Sequence, residues 1–216
     1  MRYDLHTHTC YSTCSNTKPW DYLKTAKRKV DGIAVTDHNT IRGALKVKKL
    51  NKDKDFEIIV GEEIMTPAGE VLAYYVNEEI RPGPIEEVLE KAKEQGCITS
   101  IAHPFTSGII RKSASIDFSK LRGKIDAIET FNGRMFTNLS NTRAKGFAQK
   151  HNFAQTGGSD AHFTWEIGRG WTVIKDSLKK DIKLKRTAVG GKIPIGIISR
   201  QLSLPIYLFN KLLKRS

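Results

Sequence analysis

The stretch Asp4-Leu5-His6-Thr7-His8-Thr9 ends the first apolar run of the chain, which begins at Tyr3. Residues i and i+2 of a strand point to the same face of a sheet, so the imidazoles of His6 and His8 can meet at one ion. Imidazole combined with carboxylate suits Zn, Mn or Fe. Two histidines on one strand can also have a purely structural role. The rest of the sequence decides between a metal site and a structural role.

Short apolar runs alternate with longer amphipathic runs after this stretch. The predicted strands are Tyr3–His8, Gly32–Thr36, Phe56–Val60, Glu70–Val76, Cys97–Ala102, Ala127–Thr130, Ala154–Thr156 and Trp171–Ile174. The predicted helices are Lys18–Lys29 (with Thr17 as N-cap), Thr40–Leu50, Pro84–Gln95 and Asn138–Lys150. This alternation indicates an α/β domain with a mainly parallel sheet.

Most of the histidines follow predicted strands closely. Beyond His6 and His8, these are His38, His103 and His162, and acids occupy similar places at Asp37, Glu63 and Asp160. In parallel α/β folds, sites assemble at the C-terminal ends of strands. The sequence therefore predicts a metal site at this end of the sheet. His151 lies near the end of a predicted helix and is interpreted as a surface or helix-capping residue.

Five motifs occur in one order along the chain: Asp4–Thr9, Thr36-Asp37-His38-Asn39-Thr40, Gly61-Glu62-Glu63, Ala102-His103-Pro104 and Ser159-Asp160-Ala161-His162. In order and loop context they resemble the polymerase and histidinol phosphatase (PHP) family over about residues 1–174. The resemblance implies an α/β fold, a distorted seven-stranded (β/α) barrel of PHP type. It also implies two or three divalent metal ions (Zn, Mn or Fe) at the strand ends and hydrolysis of phosphoesters.

Carried over to this chain, the resemblance implies three metal positions. The first would be held by His6, His8, Glu63 and Asp160. The second would share Glu63 and add His103, while the third would use His38 and His162. Glu63 rather than Glu62 fits the Gly-x-Glu pattern of the family, and Glu62 is expected to point away as its strand neighbour.

Two positions depart from the common family pattern. Cys14 stands where the family usually has Asp or His, and its thiolate is either a soft ligand of the third metal or a small packed residue. Glu70 stands where the family often supplies another histidine. It is either a ligand of the second metal or a solvent-facing residue at the start of a strand.

Several further residues are candidates for catalysis or substrate contact. Asp37 and Asp160 are expected to orient histidines or the attacking water, and His162 could protonate the leaving group if the third metal is missing. Glu129 and Asn132 follow a strand at the same end of the barrel and could orient ligands. Cations for the phosphate could come from the loop residues Arg169, Arg134 and Arg111, although each could equally be solvated.

The net charge of +13 is concentrated near the C-terminus. Lys175–Ser216 contains 11 Lys or Arg and two acids. We expect a PHP phosphoesterase domain at residues 1–188 and a basic amphipathic tail at residues 189–216. The tail includes a predicted short helix with apolar residues from Ile206 to Leu213, for which docking on the domain, nucleic-acid contact and binding to a membrane surface are all open.

No apolar run reaches the roughly 18 residues that a membrane-spanning helix requires. Met1-Arg2-Tyr3-Asp4 runs directly into the histidine motif without a signal-peptide pattern. The three cysteines, Cys10, Cys14 and Cys97, do not form a disulfide framework of paired residues. The expected location is therefore cytoplasmic.

The expected substrate is a phosphorylated small molecule or a short oligonucleotide. The favoured activities are a nucleotide phosphatase or a 5′–3′ exonuclease acting on short oligonucleotides. One alternative is a phosphatase of a small sugar or amino-alcohol phosphate. The other is a non-catalytic RNA-binding subunit, which the near-complete ligand set disfavours because such a scaffold does not need buried, costly ligands. The sequence does not indicate an oligomeric state.

Overall fold

The computed structural model describes residues 1–106, 116–135, 137–193 and 205–211 of the 216-residue chain. A single sheet of nine strands runs through this described part in the order β7-β6-β5-β4-β3-β2-β1-β8-β9. The strands are β1 Arg2–Asp4, β2 Gly32–Val35, β3 Glu57–Thr66, β4 Gly69–Tyr74, β5 Ile98–Ile101, β6 Ala127–Asn132, β7 Ala154–Gly158, β8 Gly170–Val173 and β9 Ala188–Gly191.

The sheet is mixed rather than mainly parallel, so that part of the prediction is wrong. The pairs β1–β2, β2–β3, β5–β6 and β6–β7 are parallel. The pairs β3–β4, β4–β5, β1–β8 and β8–β9 are antiparallel. Only two residues separate Thr66 from Gly69, and such a short link permits only an antiparallel hairpin.

The sheet curls into a nearly closed, distorted barrel, which confirms the expected fold class with nine strands rather than seven. Closure is visible where β7 meets β8. The Thr172 hydroxyl donates to the carbonyl of Gly157 at 2.9 Å and accepts from its backbone N–H at 2.8 Å. Thr187, just before β9, also donates its hydroxyl to the Gln155 carbonyl at 2.7 Å.

Both faces of the sheet are buried. Ile33 and Val35 of β2 belong to a core that packs against the surrounding helices, whereas Ala34 belongs to a second core with Leu72 and Tyr74. The helices are α1 Pro19–Ala26, α2 Arg42–Leu50, α3 Ile85–Glu94, α4 Phe118–Leu121, α5 Asn138–Lys150 and α6 Leu178–Lys183. Alternate residues of each strand thus point into the barrel interior, and the residues between them pack against the helices.

The first predicted helix differs at its start. Lys18, rather than Thr17, occupies the N-cap position of α1, and its side chain makes no capping hydrogen bond. The Thr17 hydroxyl instead donates to the carbonyl of His162 at 3.0 Å. Thr17, which was predicted to cap the helix, therefore binds the backbone of His162, a candidate metal ligand.

The C-terminal region is divided differently from the expected domain boundary. The boundary expected after residue 188 falls inside β9, which pairs with β8, so the sheet extends to Gly191. A helix covers residues 205–211, and the Asn210 amide donates to the carbonyl of Thr13 at 2.9 Å. Residues 212 and 213 of the predicted tail helix lie outside the described residues. In the described part of the chain, no helix has the length and apolar character needed to cross a membrane.

Candidate metal centre

The residues predicted for the first metal come from three strands, because His6 and His8 follow β1, Glu63 lies in β3 and Asp160 follows β7. His6 Nε2 lies 3.2 Å from Glu63 Oε1, and His8 Nε2 lies 3.3 Å from Glu63 Oε2. Asp160 Oδ1 is 3.3 Å from His8 Nε2 and 3.7 Å from His6 Nε2. All four side chains are buried, and candidate ligand atoms of His6, His8 and Asp160 lie within 4.8 Å of one another.

The residues predicted for the second metal meet at the same Glu63 carboxylate. His103 Nε2 lies 3.2 Å from Glu63 Oε1 and 3.3 Å from Glu70 Oε2. Glu70 also forms a group with His38 and Glu63 in which the candidate ligand atoms lie within 4.8 Å of one another. The structure therefore brings the Glu70 carboxylate beside His103 and Glu63.

The residues predicted for the third metal form a cluster of imidazoles. Ligand atoms of His8, His38 and His162 lie within 4.8 Å of one another. Cys14 lies near this cluster. Burial lowers the pKa of His38, but Glu63 and the Cys14 thiol outweigh burial and hold that pKa well above its usual value. None of the compact ligand groups found among the described residues includes Cys14, so its role as a ligand stays a prediction.

Hydrogen bonds orient the imidazoles toward the cluster. His6 Nδ1 donates to Glu129 Oε1 at 2.9 Å, and His162 Nδ1 donates to the carbonyl of Asp160 at 2.9 Å. Ser12 donates its hydroxyl hydrogen to Asp37 at 2.6 Å, so the contact of 3.2 Å with His8 Nδ1 requires that imidazole to be the donor. The Nε2 lone pairs of these three histidines are therefore left for a metal ion.

The charges and unsatisfied atoms at this centre fit divalent ions. Burial lowers the pKa of His6, but Glu129, Glu63 and Asp160 outweigh burial and hold the pKa well above its usual value. Glu63 Oε2 and His38 Nδ1 are 2.9 Å apart, yet within the described part of the chain neither atom has a hydrogen-bond partner of acceptable geometry. A cation would compensate the excess negative charge and satisfy these buried atoms.

Two family models match this chain. The model described as the PHP domain matches residues 4–138, and the one described as PHP-associated matches residues 138–183. The chain belongs to the PHP domain family. An uncharacterized protein of Methanocaldococcus jannaschii is 40% identical over 144 residues, which cover 61% of this chain and 82% of that relative.

Solved structures share the fold of this PHP domain. A two-domain protein from Bacteroides vulgatus, described as containing a predicted PHP-like metal-dependent phosphoesterase, superposes with a TM-score of 0.72 at 20% identity, covering 89% of this chain and 65% of that one. A lesion-specific endonuclease from Pyrococcus furiosus superposes with a TM-score of 0.57 at 19% identity, covering 87% of this chain and 57% of that one. This chain therefore spans less than two thirds of each of these two proteins.

Glu129 and Asn132 of the PHP domain hold several candidate ligands in place. Besides binding His6, Glu129 accepts the backbone N–H of His103 at 2.8 Å. The Asn132 amide donates to Glu129 Oε2 and to Asp160 Oδ2, both at 3.2 Å. These contacts fit the expectation that both residues orient ligands, with Glu129 acting on the histidines of two different strands.

Asp37 acts through the loop after β1. Its carboxylate accepts from the Thr9 backbone N–H and hydroxyl, each at 2.7 Å, as well as from Ser12. Ser12 in turn accepts the His38 backbone N–H at 3.0 Å. Asp37 therefore orients His8 and His38 through Ser12, and of the two expected roles the geometry favours orienting histidines.

Several positioning residues were not found from the sequence, among them Asp4, Glu166 and Ser15. Asp4 accepts from the Ser159 hydroxyl at 2.6 Å and from the backbone N–H groups of Ser159 and Gly168 at 2.8 and 2.7 Å. Glu166 Oε2 accepts the backbone N–H of His162 at 2.7 Å. Ser15 donates its hydroxyl to the His162 carbonyl at 2.8 Å. Asp4 belongs to the motif Asp4–Thr9, so its position in the sequence could have indicated a role. The contacts of Glu166 and Ser15 depend on loop conformation, which the sequence does not reveal.

The backbone is strained at two of the candidate ligands. His103 has φ 27° and Asp160 has φ 54°, both in the left-handed region that non-glycine residues rarely adopt. Such conformations persist only where the surroundings enforce them, and they concentrate at functional sites. Here the enforcing contacts include the Glu129 bond to the His103 backbone and a bond of 2.7 Å from the Asp160 N–H to the His6 carbonyl.

The predicted cations are placed differently from one another. Arg134 is buried, and its Nε lies 3.3 Å from Glu166 Oε1, beneath the loop that carries His162. Arg169 instead directs its guanidinium over the ring of Trp165, with 5.3 Å between Cζ and the ring centroid. Arg111 lies outside the described residues. His151 caps the C-terminus of α5, as expected, away from the metal centre.

Proposed function

We propose that this protein is a metal-dependent hydrolase of phosphoesters. The observation that carries the proposal is the environment of one buried carboxylate, Glu63. Its two oxygens lie within 2.9–3.3 Å of imidazole nitrogens from four histidines, which are His6, His8, His38 and His103. A carboxylate shared by this many potential ligands is suited to bridging adjacent metal ions.

The proposed ligands divide among two or three ions. His6, His8, Glu63 and Asp160 would hold the first, and Glu63, Glu70 and His103 the second. His38, His162 and Cys14 would hold the third. When bound, divalent ions such as Zn, Mn or Fe polarise phosphoryl oxygens and lower the pKa of coordinated water, which allows hydrolysis without a covalent enzyme nucleophile.

The protein side chains supply orientation and proton balance. Burial lowers the pKa of His8 to about 4 and that of His162 well below its usual value, so both are neutral at neutral pH. Neutral imidazoles are competent ligands. This supports a ligand role for His162 over the alternative in which it protonates the leaving group.

We propose a nucleotide or short oligonucleotide as the substrate, with a nucleotide phosphatase or 5′–3′ exonuclease as the activity. The chain carries a net charge of +13, which suits a polyanion. The helix at 205–211 bonds to Thr13, the neighbour of Cys14, so part of the basic C-terminal region lies against the loop that carries Cys14. The structural similarity to a lesion-specific endonuclease also supports a nucleic-acid substrate.

The test is a hydrolysis screen with purified protein loaded with Mn, Zn or Fe. Its substrates are mononucleotides, 3′,5′-bisphosphates, 5′-phosphorylated oligonucleotides and sugar phosphates. We expect metal-dependent phosphate release with nucleotides or oligonucleotides preferred. A preference for sugar or amino-alcohol phosphates would keep the reaction and replace the substrate. Absence of hydrolysis with every metal, together with tight RNA binding, would favour the non-catalytic alternative.

A further inference from the structure

A row of aromatic and cationic side chains lies immediately after His162. The rings of Phe163 and Trp165 are nearly parallel, with an interplanar angle of 14° and centroids 5.4 Å apart. The Arg169 guanidinium lies 5.3 Å from the centroid of the Trp165 ring. We call Phe163, Trp165 and Arg169 the aromatic row. All three side chains are partly exposed, and neither hydrophobic core includes the two rings.

The backbone of the aromatic row is fixed to the metal centre. Glu166 Oε2 accepts the N–H of Phe163 at 2.9 Å as well as that of His162, so one carboxylate holds a candidate ligand and the first ring of the row. Arg169 Nε donates to the Trp165 carbonyl at 3.3 Å, and Lys29 Nζ donates to the same carbonyl at 3.1 Å. The backbone that carries both rings is therefore held beside His162 of the candidate metal centre.

The chemistry of the row matches a nucleobase. Every base has a flat π-face that stacks on aromatic side chains, and a nearby arginine adds a cation–π contribution. Arg169 of the row and Lys29, which binds the same Trp165 carbonyl, are positively charged and suit an anionic ligand. A sugar phosphate or an amino-alcohol phosphate has no flat ring to use such a surface.

We propose that the aromatic row is a base-binding subsite, in which Phe163 and Trp165 stack on the nucleobase of a substrate whose phosphate lies at the metal centre. This assignment rests on the proposed function for the position of the phosphate. It makes the row the specificity-determining element that separates nucleotides from other phosphoesters. Because Phe163 follows His162 directly in the sequence, the nucleobase would bind next to the phosphate at the metal centre.

The test compares AMP with ribose 5-phosphate, which differ only by the base. In Trp165→Leu and Phe163→Leu, kcat/KM for AMP should fall about ten-fold or more, the size of a lost base–aromatic stack, while ribose 5-phosphate is unaffected. Trp165→Phe keeps a ring and should retain most of the AMP activity. The matched control is Trp20→Leu, because Trp20 is 62% exposed and lies outside the row.

A second measurement does not depend on hydrolysis. Adenosine has a base but no phosphate, and its binding should quench the fluorescence of Trp165 in the wild type and in Trp20→Leu but not in Trp165→Leu. Equal losses on AMP and ribose 5-phosphate would overturn the proposal, as would adenosine quenching that survives in Trp165→Leu. If the wild type hydrolyses no phosphoester, the proposed function fails, while adenosine quenching still decides the base-binding subsite.

Discussion

Glu63 lies at the centre of the candidate site and belongs to β3. This strand is longer than the apolar run from which the strand was predicted. The run ends at Val60, but the strand extends to Thr66, and strand alternation separates Glu63 from its neighbour Glu62. Glu62 faces away, where its Oε2 accepts the Ile80 backbone N–H at 3.0 Å. The Gly-x-Glu pattern of the family indicated Glu63, and alternation along the strand then predicted that Glu62 faces away from the histidines.

The supporting residues around the ligands were harder to predict. Ser12, Ser15 and Thr17 are ordinary loop residues in the sequence, yet each one bonds to a candidate ligand histidine. Glu166 does so from four residues downstream of His162. The contacts of Ser15 and Thr17 depend on how the loop after β1 meets the loop after β7, and no periodicity or spacing in the sequence predicts that contact.

Cys14 provides the first test at the scale of a residue. We predict that Cys14→Ser lowers the metal content of the purified protein and leaves its melting temperature nearly unchanged, because the thiol lies near His38 and is only partly buried. Metal analysis on protein loaded with Zn, combined with a melting curve, measures both effects.

The matched control for Cys14 is Cys10→Ser, since Cys10 is exposed. Thiolate is a softer ligand than a hydroxyl, so only the Cys14 variant should lose Zn. The same metal content in both variants would mean that Cys14 is a packing residue.

Among the elements, the C-terminal region departs most from the sequence-based division. Strand β9 contains Gly190 and Gly191, which the sequence presents as a break in the pattern. A Cβ at Gly191 would lie 2.0 Å from the Phe131 ring, so the glycine permits β9 to approach β6 closely. Glycine is common both in linkers and at close packing contacts, and the sequence alone does not distinguish the two. For this reason β9 was not predicted.

The tail after β9 is expected to contribute to the binding of oligonucleotides but not of mononucleotides. We predict that truncation after Ile193 leaves mononucleotide hydrolysis nearly unchanged and raises the KM for an oligonucleotide several-fold. The removed segment contains Arg200, Lys211, Lys214 and Arg215 and no acidic residue. Each lost phosphate contact should flatten the salt dependence by about 0.7 in log–log slope for single strands.

Asn210→Ala separates charge from docking in this experiment. It removes the bonds to Thr13 and Asn16 without changing the charge. Kinetics on the short and long substrates, with a melting curve for each variant, distinguish the two contributions. Equal losses on both substrates after truncation would rule out a nucleic-acid contact through the tail.

The connection between β8 and β9 depends on a buried carboxylate. Asp181 of α6 accepts from the backbone N–H groups of Lys175 and Asp176 at 2.6 and 3.1 Å and from Arg186 Nε at 2.5 Å. We predict that Asp181→Ala lowers the free energy of unfolding by about 2–4 kcal/mol, because it leaves these donors without their acceptor.

Asp176→Ala is the control for Asp181. Asp176 also contacts Arg186, but its side chain is 48% exposed, so its removal should lower the free energy of unfolding far less than Asp181→Ala does. Urea denaturation with an unchanged m-value measures both effects. A similar loss in the two variants would show that burial of Asp181 does not contribute as expected.

At the scale of the whole molecule, the sequence predicted the α/β class and the end of the barrel that carries the site. It did not predict the mixture of strand directions. The antiparallel pairing of β3 and β4 could have been derived from their short link, but β8 and β9 are separated by a segment long enough for either direction. Their pairing is decided by barrel closure, which depends on contacts between distant residues such as Thr172 and Gly157.

Four histidines surround the buried Glu63 carboxylate, and the most direct test of their proposed role follows metal content and phosphate release together. Protein stripped with a chelator and reloaded with Mn, Zn or Fe should hydrolyse a phosphoester only after reloading. His6→Ala and Asp160→Ala should lower the rate by several orders of magnitude while remaining folded, since a lost ion removes both water activation and charge stabilisation. The control His151→Ala, outside the site, should match the wild type. Full activity after chelation, or more than about a tenth of it in either ligand variant, would contradict the account.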